Sequence, residues 1–175
     1  MVAPRAARHA SRKRRGIMNS TETSKQLPRV PRLCSEVMRR PIVMLEEHAT
    51  ALGAARMMRE NDIGMVAVCS PSGCLVGVLT DRDIATRLVA EDRDAYTSIA
   101  LLMTRGAISC LADDAVAKAE RLMREHRITR VLVTDERHCP VGVISLSDLA
   151  QYEPAAQVGR TLHAVSARKF APERP

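Results

Sequence analysis

Displaced by 65 residues, the chain matches itself without a gap, and this internal repeat limits the possible folds more than any other feature. Val37-Met38 recurs as Leu102-Met103, Met58-Arg59-Glu60 as Met123-Arg124-Glu125, and Ile63 as Ile128. Val76-Gly77-Val78-Leu79-Thr80 returns as Val141-Gly142-Val143-Ile144-Ser145, and Asp83-Ile84 as Asp148-Leu149. Agreement at so many spaced positions marks a duplication. A unit this short buries little core alone. Two copies packed sheet to sheet around one shared core are therefore expected, not two independent domains.

Each copy predicts the same order of elements. A short extended piece (residues 42–45; 107–111) leads into a helix whose inner face carries Ala51, Ala54, Ala55 and Met58, or Val116, Ala119 and Met123. Asp113 and Asp114 are expected to cap the second of these helices. Two strands follow, at 65–69 and 75–79 and again at 131–134 and 141–144, and a further helix starts after Thr80 or Ser145. Ser70-Pro71-Ser72-Gly73 has the composition of a hairpin turn. The strands are apolar without alternation, so both faces of each sheet should be covered. With Tyr96, Tyr152 and Phe170 as the only aromatic residues, Val, Ile, Leu, Met and Ala must fill the core. The predicted class is α/β (α+β), as two pseudo-two-fold related repeats at 33–92 and 93–152, the latter opening with a linker helix. They lie between a basic tail (1–32) and a C-terminal tail (153–175).

The net charge of +7 suggests a nucleic-acid binder until it is located. Nine of the 27 basic residues but one of the 20 acids precede residue 34, so the folded part is nearly neutral. A nucleic-acid domain would carry that charge on its folded surface, and aromatic platforms for single strands are missing. Both points weigh against nucleic acid as a partner except through the tail, which is read as disordered and as without defined function or an artefact of a start that belongs at Met18. No apolar run is long enough to cross a bilayer. Cys34, Cys69, Cys74, Cys110 and Cys139 show no zinc-ligand spacing and read as reduced thiols of a cytoplasmic protein.

The motif that can carry chemistry is Gly77-Val78-Leu79-Thr80-Asp81-Arg82-Asp83 and its mate Gly142-Val143-Ile144-Ser145-Leu146-Ser147-Asp148. Each sets a hydroxyl at a strand end and a carboxylate three residues on, in the first turn of a helix. An isolated copy would read as a helix-capping box. Twice repeated, with its glycine, it reads as a ligand site. A helix start offers free N–H groups to phosphate, the hydroxyl can donate to it, and a carboxylate can accept from both hydroxyls of a ribose.

Residues 33–152 resemble a tandem pair of cystathionine β-synthase (CBS) domains, the Bateman module, in three features. These are the Val-Met or Leu-Met opening of each copy, the Met-Arg-Glu-x-x-Ile stretch, and the G-h-h-T/S-x-x-D strand end. The resemblance implies β-α-β-β-α repeats with two clefts for adenosine-type ligands: AMP, ADP, ATP, S-adenosylmethionine or NAD. It implies Asp83 and Asp148 at the ribose, Thr80 and Ser145 at the phosphates, and Val43, Met44, Ile63, Ile108, Ser109 and Ile128 around adenine. Arg82 and Arg130 are candidate phosphate partners. Ala67 and Leu132 replace a proline frequent in such domains. Met44 replaces a hydroxyl that Ser109 keeps, which makes the first cleft the less polar.

No nucleophile–base pair, metal cluster or glycine-rich phosphate loop suggests an enzyme, and His48, His126, His138 and His163 are unmatched by the repeat. The expected function is a non-catalytic regulatory module sensing energy or cofactor status. The alternative is a ligand-free scaffold mediating dimerisation or contact with a regulated partner protein. The resemblance implies a homodimer, with Met57, Met58, Leu122 and Met123 as candidate contact residues. Deleting residues 1–17 should leave folding and nucleotide binding unchanged; a lower melting temperature or weaker binding in the truncated protein would make the tail structural.

Overall fold

The computed structural model describes residues 32–167. The basic tail assigned to 1–32, Arg32 apart, and the chain beyond 167 lie outside that span. In the first repeat, Thr50 accepts the Gly53 N–H at 3.1 Å and starts helix α2 (Ala51–Glu60), after strand β1 (Met44–Glu46) and the short helix α1 (Cys34–Val37). Strands β2 (Met65–Cys69) and β3 (Leu75–Thr80) form the hairpin, and Gly73 takes the left-handed conformation (φ 81°) its turn requires. Helix α3 (Asp81–Ile84) runs into a π-helical turn at Ala85–Val89. The second repeat has strands β5 (Ser109–Leu111), β6 (Arg130–Thr134) and β7 (Pro140–Ser145) with helices α4 (Val116–His126) and α5 (Leu146–Tyr152).

Each sheet pairs its first two strands in parallel and closes with an antiparallel hairpin. The registers are those of the repeat: Met44 faces Ala67 as Ser109 faces Leu132, and the pairing slips at Val68/Cys69 as at Val133/Thr134. The central strands β2 and β6 are covered on both faces, as their unbroken apolar runs require: Val66, Ala67 and Val68 are fully buried, and so are Val131 and Val133.

The expected single shared core is instead two cores, each completed by the opposite repeat. Cys34, Val37 and Met38 pack into the second, with Met123, Ile144 and Leu149. Ile99, Leu102 and Met103 pack into the first, with Met58, Val66 and Leu79. The segments that open the two copies therefore cross over. Arg39 bridges to Val143 at the edge of β7, as strand β4 (Thr104–Arg105) pairs with Gly77 and Val78 of β3. The crossing backbone also caps helices: the Arg32 carbonyl accepts the Val116 N–H, and the Thr97 carbonyl the Ala51 N–H, both at 2.9 Å.

That capping displaces the expected role of Asp113 and Asp114. Helix α4 has Ala115 at its N-cap and no side-chain cap. Asp114 instead accepts from the Leu111 N–H and from Lys118, both at 2.7 Å. Burial works against its charge, but these partners win and hold its carboxyl below the usual range. The linker helix shrinks to a 3₁₀ turn at Ile99–Leu101. Ahead of it Asp94 and Ser98 spend their side chains on the backbone, at the Tyr96 N–H and the Glu47 carbonyl, which favours turns over helix.

The C-terminal tail carries a helix, α6 (Ala155–Ser166), whose Val158 and Val165 pack on the second core. Gln157 donates to the buried Glu120 at 2.6 Å, and Arg124 to the fully buried Thr161 at 3.1 Å. Met58 and Met123, candidates for a dimer face, are core residues, and Met57 and Leu122 are half-buried.

The repeated glycine of each strand end is explained by the crossover. A Cβ on Gly77 would lie 2.7 Å from the Thr104 carbonyl oxygen, and one on Gly142 2.5 Å from Met38 Sδ and 3.0 Å from the Arg39 oxygen. Gly77→Ala should therefore cost about 1–3 kcal/mol in urea unfolding. Gly142→Ala should cost less, because its nearest neighbours belong to the Met38 side chain, which can shift, and the backbone oxygen lies farther off, at 3.0 Å rather than 2.7 Å. Gly159→Ala, in open space on α6, should add about 0.5–1 kcal/mol. An unchanged midpoint for Gly77→Ala would contradict the close approach of β4.

Candidate functional site

Both repeats end their last strand on a hydroxyl residue that starts a helix. Thr80 Oγ1 accepts the Asp83 N–H at 3.1 Å, while Asp83 Oδ2 accepts the Thr80 N–H at 2.9 Å and its hydroxyl at 2.7 Å. Ser145 and Asp148 repeat the arrangement at 3.2, 2.9 and 2.5 Å. The capping-box reading of the motif is thus realised in both copies.

The free oxygens of the two carboxylates are used differently. Asp83 Oδ1 faces Arg87 Nη2 at 3.2 Å, one helical turn on, and Arg87 also donates to the Leu102 carbonyl at 2.6 Å. Asp148 Oδ1 accepts from Arg39 Nε at 2.5 Å. The Asp148 side chain is only 4% exposed, against 64% for Arg39. A carboxyl group so deeply placed is tolerable because both of its oxygens accept hydrogen bonds.

Two cavities lie between the repeats. One, of about 480 Å³, brings Thr80 and Arg82 of the first repeat against Ile108, Arg127, Ile128, Arg130 and Leu132 of the second. The other, of about 190 Å³, gathers Ser145 and Asp148 with Ile63, Asp62, Arg39 and Arg130. Arg130 lines both. Each lining mixes the repeats, so a strand end from one copy meets the isoleucine of the other.

Four of the sequence-predicted residues lie off these linings. Val43 turns into the first core. Met44, paired with the buried Ala67, shares its sheet face but sits exposed on the edge strand. Ser109 lies beside the lining residue Leu132. Asp83 stands behind Thr80, held by Arg87.

Sequence reasoning passed over Arg39, Arg87 and Arg127. The Asp83–Arg87 spacing of i,i+4 was a usable signal. Arg39 gave none: its repeat mate is Thr104, and Asp148 is 109 positions away. Arg127 sits at the left-handed end of α4 (φ 52°), where its repeat mate is Asp62 (φ 51°).

Two αβ repeats, each ending a hairpin in a hydroxyl–carboxylate cap beside an inter-repeat cavity, define a tandem CBS pair. The chain belongs to this family: the CBS domain model matches residues 34–90 and 98–154. It is similar to Hypoxic response protein 1 of Mycobacterium tuberculosis, 32% identical over 131 residues that make up 74% of this chain and 91% of the relative. It is also similar to the solved structure of CBS domain protein PAE2072 from Pyrobaculum aerophilum complexed with AMP, at 30% identity and TM-score 0.64, covering 74% and 98% of the two chains. The fold is shared with the conserved CBS domain protein TA0289 from Thermoplasma acidophilum, at TM-score 0.69 and 22% identity, covering 79% of each chain. No helix among the described residues is long and apolar enough to cross a membrane.

Arg39→Ala removes the one partner that Asp148 Oδ1 has among the described residues and leaves a buried carboxylate half satisfied. It should lower unfolding free energy by about 1–3 kcal/mol, and the double variant Arg39→Ala/Asp148→Asn should recover part of that loss. If the single variant unfolds like wild type, the pair contributes nothing.

Proposed function

We propose that this chain is a non-catalytic regulatory module that binds an adenosine-type ligand between its two CBS repeats. The observation that carries the reading is the duplicated strand end, Thr80–Asp83 and Ser145–Asp148, placed beside inter-repeat cavities. The AMP complex of the 30% identical CBS protein supports the same ligand class. Thr80 and Ser145 would meet phosphate, Asp83 and Asp148 ribose, and Ile63 and Ile128 the adenine face. Arg82 and Arg130 would neutralise the phosphate. Met44 and Ser109 would be reached by a ligand extending past the present linings.

A binder of this kind regulates only by preferring one arrangement of the repeats over another. The cavity walls come from both repeats, so a ligand touching both would bias their arrangement. A homodimer and a regulated partner protein belong to this reading. The ligand-free scaffold is the competing one, and it gives no reason for paired hydroxyls and acids at both strand ends beyond capping.

Thermal unfolding against AMP, ADP, ATP, NAD and S-adenosylmethionine tests the proposal. A ligand at a hundredfold excess over its Kd adds about 2.7 kcal/mol, which for a chain of this size raises Tm by roughly 5–10 °C. Asp83→Ala and Asp148→Ala together should abolish the rise while the unliganded protein stays folded. No rise with any of the five, in protein shown free of carried-over nucleotide, would transfer the assignment to the scaffold.

A further inference from the structure

The two cavities are built on equivalent backbone but differ in charge, one cationic and the other balanced. The larger is lined by Arg82, Arg127 and Arg130 and by no acid. The ion pairs of the described residues involve none of these three arginines. The smaller has two arginines and two aspartates, and one of those arginines, Arg39, is already committed to Asp148.

The difference is written position by position in the duplication. Where the larger cavity has Arg127, Arg82 and Arg130, the smaller has Asp62, Ser147 and Met65. Three positive charges in one cavity, with apolar Ile108, Ile128 and Leu132 lining it beside them, concentrate a field suited to several negative charges on one ligand. Guanidinium groups match phosphate oxygens in pairs. Volume separates the cavities in the same sense. About 480 Å³ is ordinary for a nucleotide-sized ligand, whereas about 190 Å³ is below the usual range of such sites.

We infer that the two cavities divide ligands by charge. The Thr80 cavity takes a nucleoside di- or triphosphate, and the Asp148 cavity takes an uncharged or cationic adenosine, whose ribose must displace Arg39 and which leaves Ser145 without the phosphate assigned to it above. This rests on the adenosine reading above but does not follow from it, since equal cavities would bind one nucleotide twice.

Isothermal titration of the full chain with ATP, adenosine and inorganic tripolyphosphate separates the two claims. ATP should bind at least about tenfold tighter than adenosine, and its affinity should fall as salt rises. Tripolyphosphate should displace ATP but leave bound adenosine in place. Arg82→Ala/Arg127→Ala should weaken ATP at least about tenfold while changing adenosine less than about twofold, with an unshifted melting curve as the folding control. Arg39→Ala should tighten adenosine and leave ATP unaltered. If the arginine variant weakens ATP and adenosine alike, or neither, the division by charge is overturned. Tripolyphosphate binding without any adenosine ligand would overturn the adenosine reading and keep the cationic cavity; binding by none of the three would overturn both.

Discussion

Two close approaches hold this architecture together: the backbone at Thr104 against Gly77, and that at Arg39 against Gly142. A methyl group at either glycine would occupy space taken by the crossing segment. With the glycines in place, Met103 and Met38 slide over the strand ends, and Ile99, Leu102, Cys34 and Val37 follow them into cores that their own repeats do not own. Everything else is subordinate to that exchange. The crossing backbone supplies the first hydrogen bond of α2 and of α4. It also fixes one wall of each cavity, through Thr104 and Arg39.

Duplication then supplies the chemistry, because it yields two copies of one backbone on which side chains diverge independently. The capping boxes at Thr80 and Ser145 have kept their geometry. The groups around them have not. Asp83 turns to a cation on its own helix, and Asp148 to one from the opposite end of the chain. The left-handed position after the first long helix of each repeat survives as Asp62 and Arg127, of opposite sign. Buried cysteines show the same drift: Cys34 and Cys110 meet at 3.6 Å in the second core, where the first has Ile99 and Leu45. Contact with Cys110 and burial push the Cys34 thiol up, so it rests as a protonated packing group.

Much of this was legible in the sequence. Apolar runs at Val66–Val68 and Val131–Val133 announced strands covered on both sides, and the T/S-x-x-D spacing announced a helix start in each copy. What the sequence withheld is contact between distant positions. Nothing near Gly77 says that its neighbour is residue 104, so the core was expected to be shared when it is exchanged. Asp113 and Asp114 looked like caps because the true cap, a backbone carbonyl from Arg32, has no side-chain signature. Helix α6 was missed where apolar Val158, Leu162 and Val165 alternate with small and polar residues, and its anchoring depends on Glu120 and Arg124 of another helix. The resemblance places the clefts between the repeats, but sequence alone groups their residues copy by copy. Only the fold reveals that each combines a strand end from one copy with an isoleucine from the other.

The exchange of opening segments also bears on how such a chain can arise. A lone repeat has a core that lacks its lid, and its own opening segment has no groove to fill. Two separate copies would meet both needs by trading those segments, as a domain-swapped pair whose stability depends on protein concentration. Fusing the copies head to tail makes the trade intramolecular, at an effective concentration in the millimolar range set by a short connector. Fusion also releases the partners from identity. In a swapped homodimer every substitution appears in both cavities at once, so Arg127 in one could not be matched by Asp62 in the other. Covalent linkage is what permits one site to become cationic while its twin becomes neutral.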